Sequence, residues 1–267
     1  RAVFGGDTTA LDSSHIYFQH RAWIRFYGKH GYLDPGVPQA REFSQAVIMD
    51  VVNRYDIDGV HFDDYFYPYK VDSLVFPDSV SFAANKGETE NVDDWRRQNI
   101  NAFIQSVHDS IEAIKPEVKF GVSPFGVWRN QSVDPLGSDS QAGQTTYDDL
   151  YADVRLWLQN SWIDYVVPQI YFSIGYPPAD YKKLLDWWSR NTYGKQLYIG
   201  QAAYKVDNNH DERWKDAGQI PRQIQMNRRN FQVDGSVYFS AKSFLKNPLL
   251  PLSCPHLHRQ NTNISSY

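Results

Sequence analysis

The sequence is nearly devoid of cysteine: Cys254 is the only one in 267 residues. That excludes a disulfide within the chain and a cysteine-based zinc site. Positive charge is not in excess, with 27 Lys and Arg against 31 Asp and Glu and a formal net charge of −4. A dedicated nucleic-acid binder would carry a basic stripe, so no nucleic-acid partner is expected. No apolar run approaches the roughly 18 residues of a membrane span, so no transmembrane segment is expected. Arg1 opens the sequence with neither Met nor a signal-peptide pattern, which reads as a processed form or a fragment. What is abundant is aromatic. Trp 8, Tyr 18 and Phe 15 make up 15% of the residues. Hydrophobic residues at 42% and charged residues at 22% describe a globular chain. Some of the aromatics must fill its core, and a surplus of Trp and Tyr suits a cleft that stacks on flat ligand faces.

From Pro38 onward helical and strand patterns alternate. A helix is expected from Pro38 to about Asp56, with Phe43, Ala46, Val47 and Val51 at helical spacing. Asp93–Lys115 reads as a long amphipathic helix with Ile100, Phe103, Ile104, Val107, Ile111 and Ile114 on one stripe, ended by Pro116. Further helices are expected at 148–159, 179–191 and 222–231. Five strands are expected at 57–62, 118–123, 165–172, 196–203 and 236–240. Their continuous apolar character suits a parallel sheet buried on both faces. Two architectures fit: a (β/α)8 barrel without its first strands, or a five-stranded doubly wound sheet. No Gly-rich phosphate loop follows any strand, which withdraws support from the nucleotide-binding form of the second. Residues 1–248 read as the folded domain and 249–267 as an irregular tail. The first 34 residues carry no clear pattern beyond the Leu33-Asp34-Pro35-Gly36 turn.

In parallel α/β folds the sites lie at the C-terminal ends of the strands. The first strand here delivers His61-Phe62-Asp63-Asp64-Tyr65; the others deliver Ser123 and Trp128, Gln169 and Tyr171, Tyr204, and Lys242. Only the first offers carboxylates. Period-2 alternation puts His61, Asp63 and Tyr65 on one face and Phe62 and Asp64 on the other. Adjacent carboxylates in a partly dry site repel, so one of the two should hold its proton to higher pH. That separation supplies a general acid and an ionised base near neutral pH. The remaining strand ends offer amides, hydroxyls, aromatics and one Lys, the profile of a sugar-binding cleft with one catalytic corner. His15, His20 and His30 match no helical metal-ligand spacing, Trp187-Trp188 reads as core, and neither a metal nor an organic cofactor is expected.

Tyr-Leu-Asp-Pro-Gly-Val-Pro (32–38), Asp-Gly-Val-His-Phe-Asp-Asp-Tyr-Phe-Tyr-Pro (58–68), Gly-Val-Ser-Pro-Phe-Gly (121–126), Asp-Tyr-Val-Val-Pro-Gln-Ile-Tyr (164–171) and Tyr-Phe-Ser-Ala-Lys (238–242) occur in order. Together they resemble the bacterial glycosyl-hydrolase-like 10 family, over roughly residues 1–248. The resemblance implies a (β/α)8 TIM barrel whose strands four to eight lie in this chain, with Asp63 and Asp64 at the end of strand four and three strands ahead of Arg1. It also implies an exported or lipid-anchored protein of the cell envelope. Its implied substrate is the glycan strand of peptidoglycan, stripped of stem peptides.

The resulting expectation is a glycosidase. Asp63 or Asp64 protonates the leaving oxygen or acts as nucleophile or base, and the partner carboxylate is the other Asp or a residue upstream of Arg1. Carboxyl separations of about 5–5.5 Å would mean retention and roughly 6.5–9.5 Å inversion. His61, Gln169 and Tyr171 would orient sugar hydroxyls, Trp128 and Tyr204 would stack, and Tyr65, Ser123 and Lys242 would complete the substrate contacts. The alternatives are a non-catalytic carbohydrate-binding barrel and, more weakly, a metal-dependent hydrolase using His61, Asp63 and Asp64. The oligomeric state is left open.

Overall fold

A computed structural model describes residues 3–71, 73–88 and 91–246. The tail expected at 249–267 lies outside the described residues, as does the Arg1-Ala2 start. The chain divides into two compact units, one of Arg1–Gly121 with Gln144–Asp164, the other of Val122–Gly143 with Tyr165–Tyr267.

The first unit opens with a short helix, α1 (Ile16–Gln19), and an antiparallel hairpin, β1 (Ile24–Tyr27) and β2 (His30–Leu33). Its two-residue turn is Gly28-Lys29, with Gly28 at φ +58°, where glycine carries no steric penalty. Then come α2 (Pro38–Arg54), β3 (Gly59–Phe62), α3 (Ser79–Asn85), α4 (Val92–Ile114), the start of β4 (Lys119–Val122), α5 (Thr146–Asp149) and α6 (Val154–Gln159). The stripe expected on α4 is buried at Ile100, Ile104, Val107 and Ile111, while Ile114 at its end is exposed. Asn91 caps the helix by accepting from the backbone N–H groups of Asp93 and Asp94.

The stripe expected on α2 is a correction. Phe43, Val47 and Val51 are exposed, and the buried positions are Ala40, Met49 and Val52. The helix meets α4 through a polar seam instead: Gln45 Nε2 donates to Ser110 Oγ at 2.7 Å, and Ser106 Oγ donates to Gln45 Oε1 at 2.7 Å. The single helix expected at 148–159 is also two. Tyr151 takes φ +54°, and Asp153 starts a new helix by accepting the N–H of Leu156.

A buried ion pair ties this unit together. Arg96 grips Asp78 with two bonds of 2.7 and 2.8 Å, and its remaining arm donates to Tyr151 Oη at 2.7 Å. Both side chains are almost fully buried. Asp78→Ala leaves the buried guanidinium, among the described residues, with only the half-exposed Asp93 at 3.5 Å and costs about 3 kcal/mol, to be read by urea unfolding. Asp34, expected as a turn former, does accept the N–H of Gly36 at 2.8 Å. It is also fully buried, with Arg25 at 2.9 Å and the Ser81 hydroxyl at 2.5 Å.

The second unit holds the end of β4, β5 (Tyr165–Val166), α7 (Tyr181–Arg190), β6 (Gln196–Gln201), α8 (Gln219–Arg229), β7 (Gly235–Tyr238) and α9 (Ala241–Lys246). β5, β6 and β7 pair in parallel. The strand expected at 165–172 is cut to two residues because Pro168 has no N–H to give the ladder. Pairing resumes at Gln169, which bridges Phe125 on one side and Gly200 on the other. Trp188 is fully buried, and its indole N–H donates to the carbonyl of Gly126 at 2.8 Å.

The strand order is β3-β4-β5-β6-β7, with β4 passing from the first unit into the second. The five expected strands are therefore present and in sequence order, as consecutive strands of an α/β barrel would be. β3 and β7 are the two edges of that order, and an eight-stranded closure is not formed among the described residues.

Candidate active site

In the first unit the site begins with β3. Lys119 N–H donates to the carbonyl of Asp58 at 2.9 Å, and a Cβ on Gly59 would come within 2.8 Å of the Lys119 carbonyl oxygen. Glycine thus allows β3 to lie close against β4. Phe62 turns toward the helices, stacked on Phe103 at 5.9 Å and edge-on to Phe120 at 4.9 Å. Alternation then sends His61 and Asp63 to the opposite side, where both are exposed. Tyr65 is 45% exposed.

Asp64 is different. It is 2% exposed, and Tyr69 Oη donates to its Oδ2. Its own N–H donates to Asp63 Oδ1 at 3.1 Å. Burial pushes the Asp64 carboxyl up to about 6; the Tyr69 hydrogen bond opposes this, and the neighbouring Asp63 adds to it. One carboxyl of the pair is raised, as expected, but burial is the leading cause and repulsion from Asp63 is secondary. The His61 ring is held below its ordinary value by partial desolvation, though the residue as a whole is exposed, with Asp63 pulling the other way. Tyr69 is raised, by burial first and then by Asp64.

Tyr69 is the residue of this corner that sequence reasoning passed over. It lies five positions beyond Asp64 across Pro68, and no periodicity links the two. The other aromatics of the run are anchors. Phe66 packs edge-on to Trp157 at 4.9 Å, and Tyr67, 1% exposed, packs on Phe76 and Tyr151. They fix the loop that carries Tyr65 and Tyr69, whose rings meet at 5.6 Å.

The second unit brings together two further groups of expected residues. Gln169 Nε2 donates to the Ser123 carbonyl at 2.9 Å, and Ser123 Oγ donates to the Val167 carbonyl at 2.8 Å. The Ser123 hydroxyl proton is thereby committed to the backbone. Tyr171 and Tyr204 meet edge-on at 6.0 Å, and Phe239 lies 6.3 Å from the first and 5.9 Å from the second. Tyr204 is 39% and Phe239 57% exposed, which leaves an open aromatic surface. Phe239 was not singled out from the sequence. Trp128, expected to stack on a ligand, is 4% exposed and stacked on Trp187 at 5.8 Å, so it offers little open ring face. Lys242 is exposed at the start of α9. Among the described residues no group of three His, Cys, Asp or Glu side chains is placed to hold a metal, and no helix is long and apolar enough to cross a membrane.

The chain is 49% identical over 246 residues to the glycosyl hydrolase YngK of Bacillus subtilis (strain 168), covering 91% of this chain and 48% of that protein. It is 38% identical over 248 residues to the glycosyl hydrolase DigH of Escherichia coli (strain K12), covering 90% and 56%. The chain thus spans about half the length of the curated relatives it matches. The structure of bee venom hyaluronidase in complex with a hyaluronic acid tetramer aligns at a TM-score of 0.36 and 13% identity, over 84% of this chain and 60% of that one, a level that bears on neither fold nor function. The glycosyl hydrolase-like 10 model matches residues 7–216, and the chain belongs to that family.

Proposed function

We propose that this chain carries the catalytic strand end of a glycosidase, a hydrolase of O-glycosyl bonds in a cell-envelope polysaccharide. Peptide-free peptidoglycan strands are its substrate in this reading. The observation that carries it is the Asp63–Asp64 pair: an exposed carboxylate beside a buried one that keeps its proton to about pH 6. Family membership and the names of the relatives support the same class of reaction.

Hydrolysis breaks the bond from the anomeric carbon to the leaving oxygen, protonates that oxygen and joins water to the carbon. The transition state carries positive charge at the anomeric carbon. Asp63, on the open face with His61 and Tyr65, is the carboxylate that meets this centre. Asp64 acts through it: its charge above about pH 6 adds to the negative potential on which the transition state depends. Asp64 itself, buried and bonded to Tyr69, does not flank the scissile bond. The acid that protonates the leaving oxygen is a second carboxylate that this pair does not supply.

Release of new reducing ends from peptide-free strands, but not from strands that keep their stem peptides, is the expected result. Strands bound without any release would favour the binding-module alternative. The Tyr171–Tyr204 surface supplies stacking for sugar rings. Tyr204→Ala therefore raises KM about three- to tenfold with kcat little changed. An unchanged KM would remove Tyr204 from the substrate path. The envelope location belongs to the same proposal and is tested by fractionating cells that express the protein.

A further inference from the structure

Tyr69 reaches Asp64 from a loop that is pinned on both sides of it. Pro68 comes immediately before and locks its own φ. One residue earlier, Tyr67 is 1% exposed, and its N–H donates to the Leu150 carbonyl at 3.4 Å. One residue later, Lys70 pairs with Asp149, whose other oxygen accepts the Thr145 N–H at 2.6 Å. The N–H of Val71 then donates to Tyr27 Oη at 3.0 Å, and that hydroxyl donates onward to the Leu74 carbonyl at 3.2 Å. The Tyr65 ring stands edge-on to Tyr69 at 5.6 Å. The far end of the bond is fixed as well. Asp64 is 2% exposed, and its N–H is held by Asp63 Oδ1 at 3.1 Å.

The bond between these two fixed ends has a chemical consequence. A buried carboxylate needs donors, and a neutral phenol supplies one without adding charge. A hydroxyl donates more strongly to a carboxylate than to a carboxylic acid, so the bond favours the ionised form. Of the influences that favour ionised Asp64, the Tyr69 bond is the largest; burial and Asp63 oppose it. The neighbouring titratable groups act elsewhere: His61 faces Asp63, Tyr65 acts on Tyr69, and Lys70 is turned to Asp149. Burial and Asp64 both raise the Tyr69 hydroxyl, so it keeps its proton and remains a donor at every pH where the site works.

We propose that Tyr69 is a positioning residue of the reaction: its hydroxyl holds the Asp64 carboxylate in its ionised form beside Asp63 and so governs the pH range in which the enzyme is fast. The inference rests on the glycosidase reading and deepens it, because it names what controls the buried member of the pair. Tyr69 does not touch the glycan; it acts through Asp64.

The test is Tyr69→Phe, which keeps the ring and removes the donor. The carboxyl carbon of Asp64 is followed by carbon-13 NMR as pH rises, its resonance identified by its loss in Asp64→Asn. The wild-type midpoint is about 6. In Tyr69→Phe it moves up by about one unit, and the rise of kcat on glycan strands moves with it. The variant is then about two- to threefold slower than the wild type at pH 6.5 and equal to it above about pH 8.5. Its loss of stability in urea is also larger at pH 8 than at pH 3.5, because ionising Asp64 costs more without the bond. A midpoint common to both proteins overturns the inference. So does a loss of kcat or of stability that is the same at every pH, the mark of a merely structural role. The NMR midpoint needs no turnover, so the two readings fail separately: a midpoint that moves in a protein that cleaves nothing would keep the hold of Tyr69 on Asp64 and remove the glycosidase.

Discussion

Asp63→Asn lowers kcat on glycan strands about a thousandfold or more, with KM and fold nearly unchanged. The size of the loss follows from position. Asp63 is the exposed carboxylate of the pair and faces away from the helices that Phe62 packs on. The exchange removes a charge without removing a shape, because the asparagine Oδ1 still accepts the Asp64 N–H that Asp63 Oδ1 holds at 3.1 Å. An exposed substitution of this kind shifts stability by no more than about 0.5 kcal/mol. Steady-state kinetics with urea unfolding separates the two effects. Full activity in a folded Asp63→Asn protein would take Asp63 out of the chemistry.

Asp64→Asn has two effects of opposite sign, both confined to the same pH range. Burial raises the Asp64 carboxyl from 3.8 to about 6. A carboxyl raised in the folded state favours folding while protonated and disfavours it once ionised. The cost is absent below about pH 4, grows between 4 and 6, and is complete above. At 1.36 kcal/mol per unit it reaches about 3 kcal/mol. Asn keeps an acceptor for Tyr69 and carries no charge, so the variant is up to about 3 kcal/mol more stable than the wild type at pH 8 and no more stable at pH 3.5. Activity moves the other way. Wild-type kcat rises as pH passes about 6, when Asp64 becomes charged beside Asp63. The variant lacks that limb and is about tenfold slower at pH 7.5, yet equal at pH 5. A stability difference independent of pH, or a kcat limb near 6 that persists in the variant, would show that Asp64 is not the titrating group. The trade of stability for activity at a buried charged residue is common at functional sites.

The strands were legible because each is a short apolar run between punctuating residues; all five are present, with the one expected at 165–172 cut short ahead of Pro168. The carboxylate corner was legible for a similar reason, since alternation along β3 alone separates Asp63 from Phe62. What escaped the sequence has physical causes. The β1–β2 hairpin is written in His, Arg and aromatics, which blur a period of two. The apolar stripe of α2 faces outward because Gln45 and the serines of α4 satisfy one another across the seam, a match that hydrophobic periodicity does not register. Tyr69 gains its place beside Asp64 from loop geometry, reaching back across Pro68 to the carboxyl.

The central claim is that this protein hydrolyses glycosidic bonds, and its most direct test uses water labelled with oxygen-18. Peptide-free peptidoglycan strands are incubated with the wild type in labelled water, and the products are read by mass spectrometry. The expected result is shorter strands with one labelled oxygen at each new reducing end, absent from the Asp63→Asn reaction. Strands that bind and return with their mass unchanged, or products that carry no label, would contradict it.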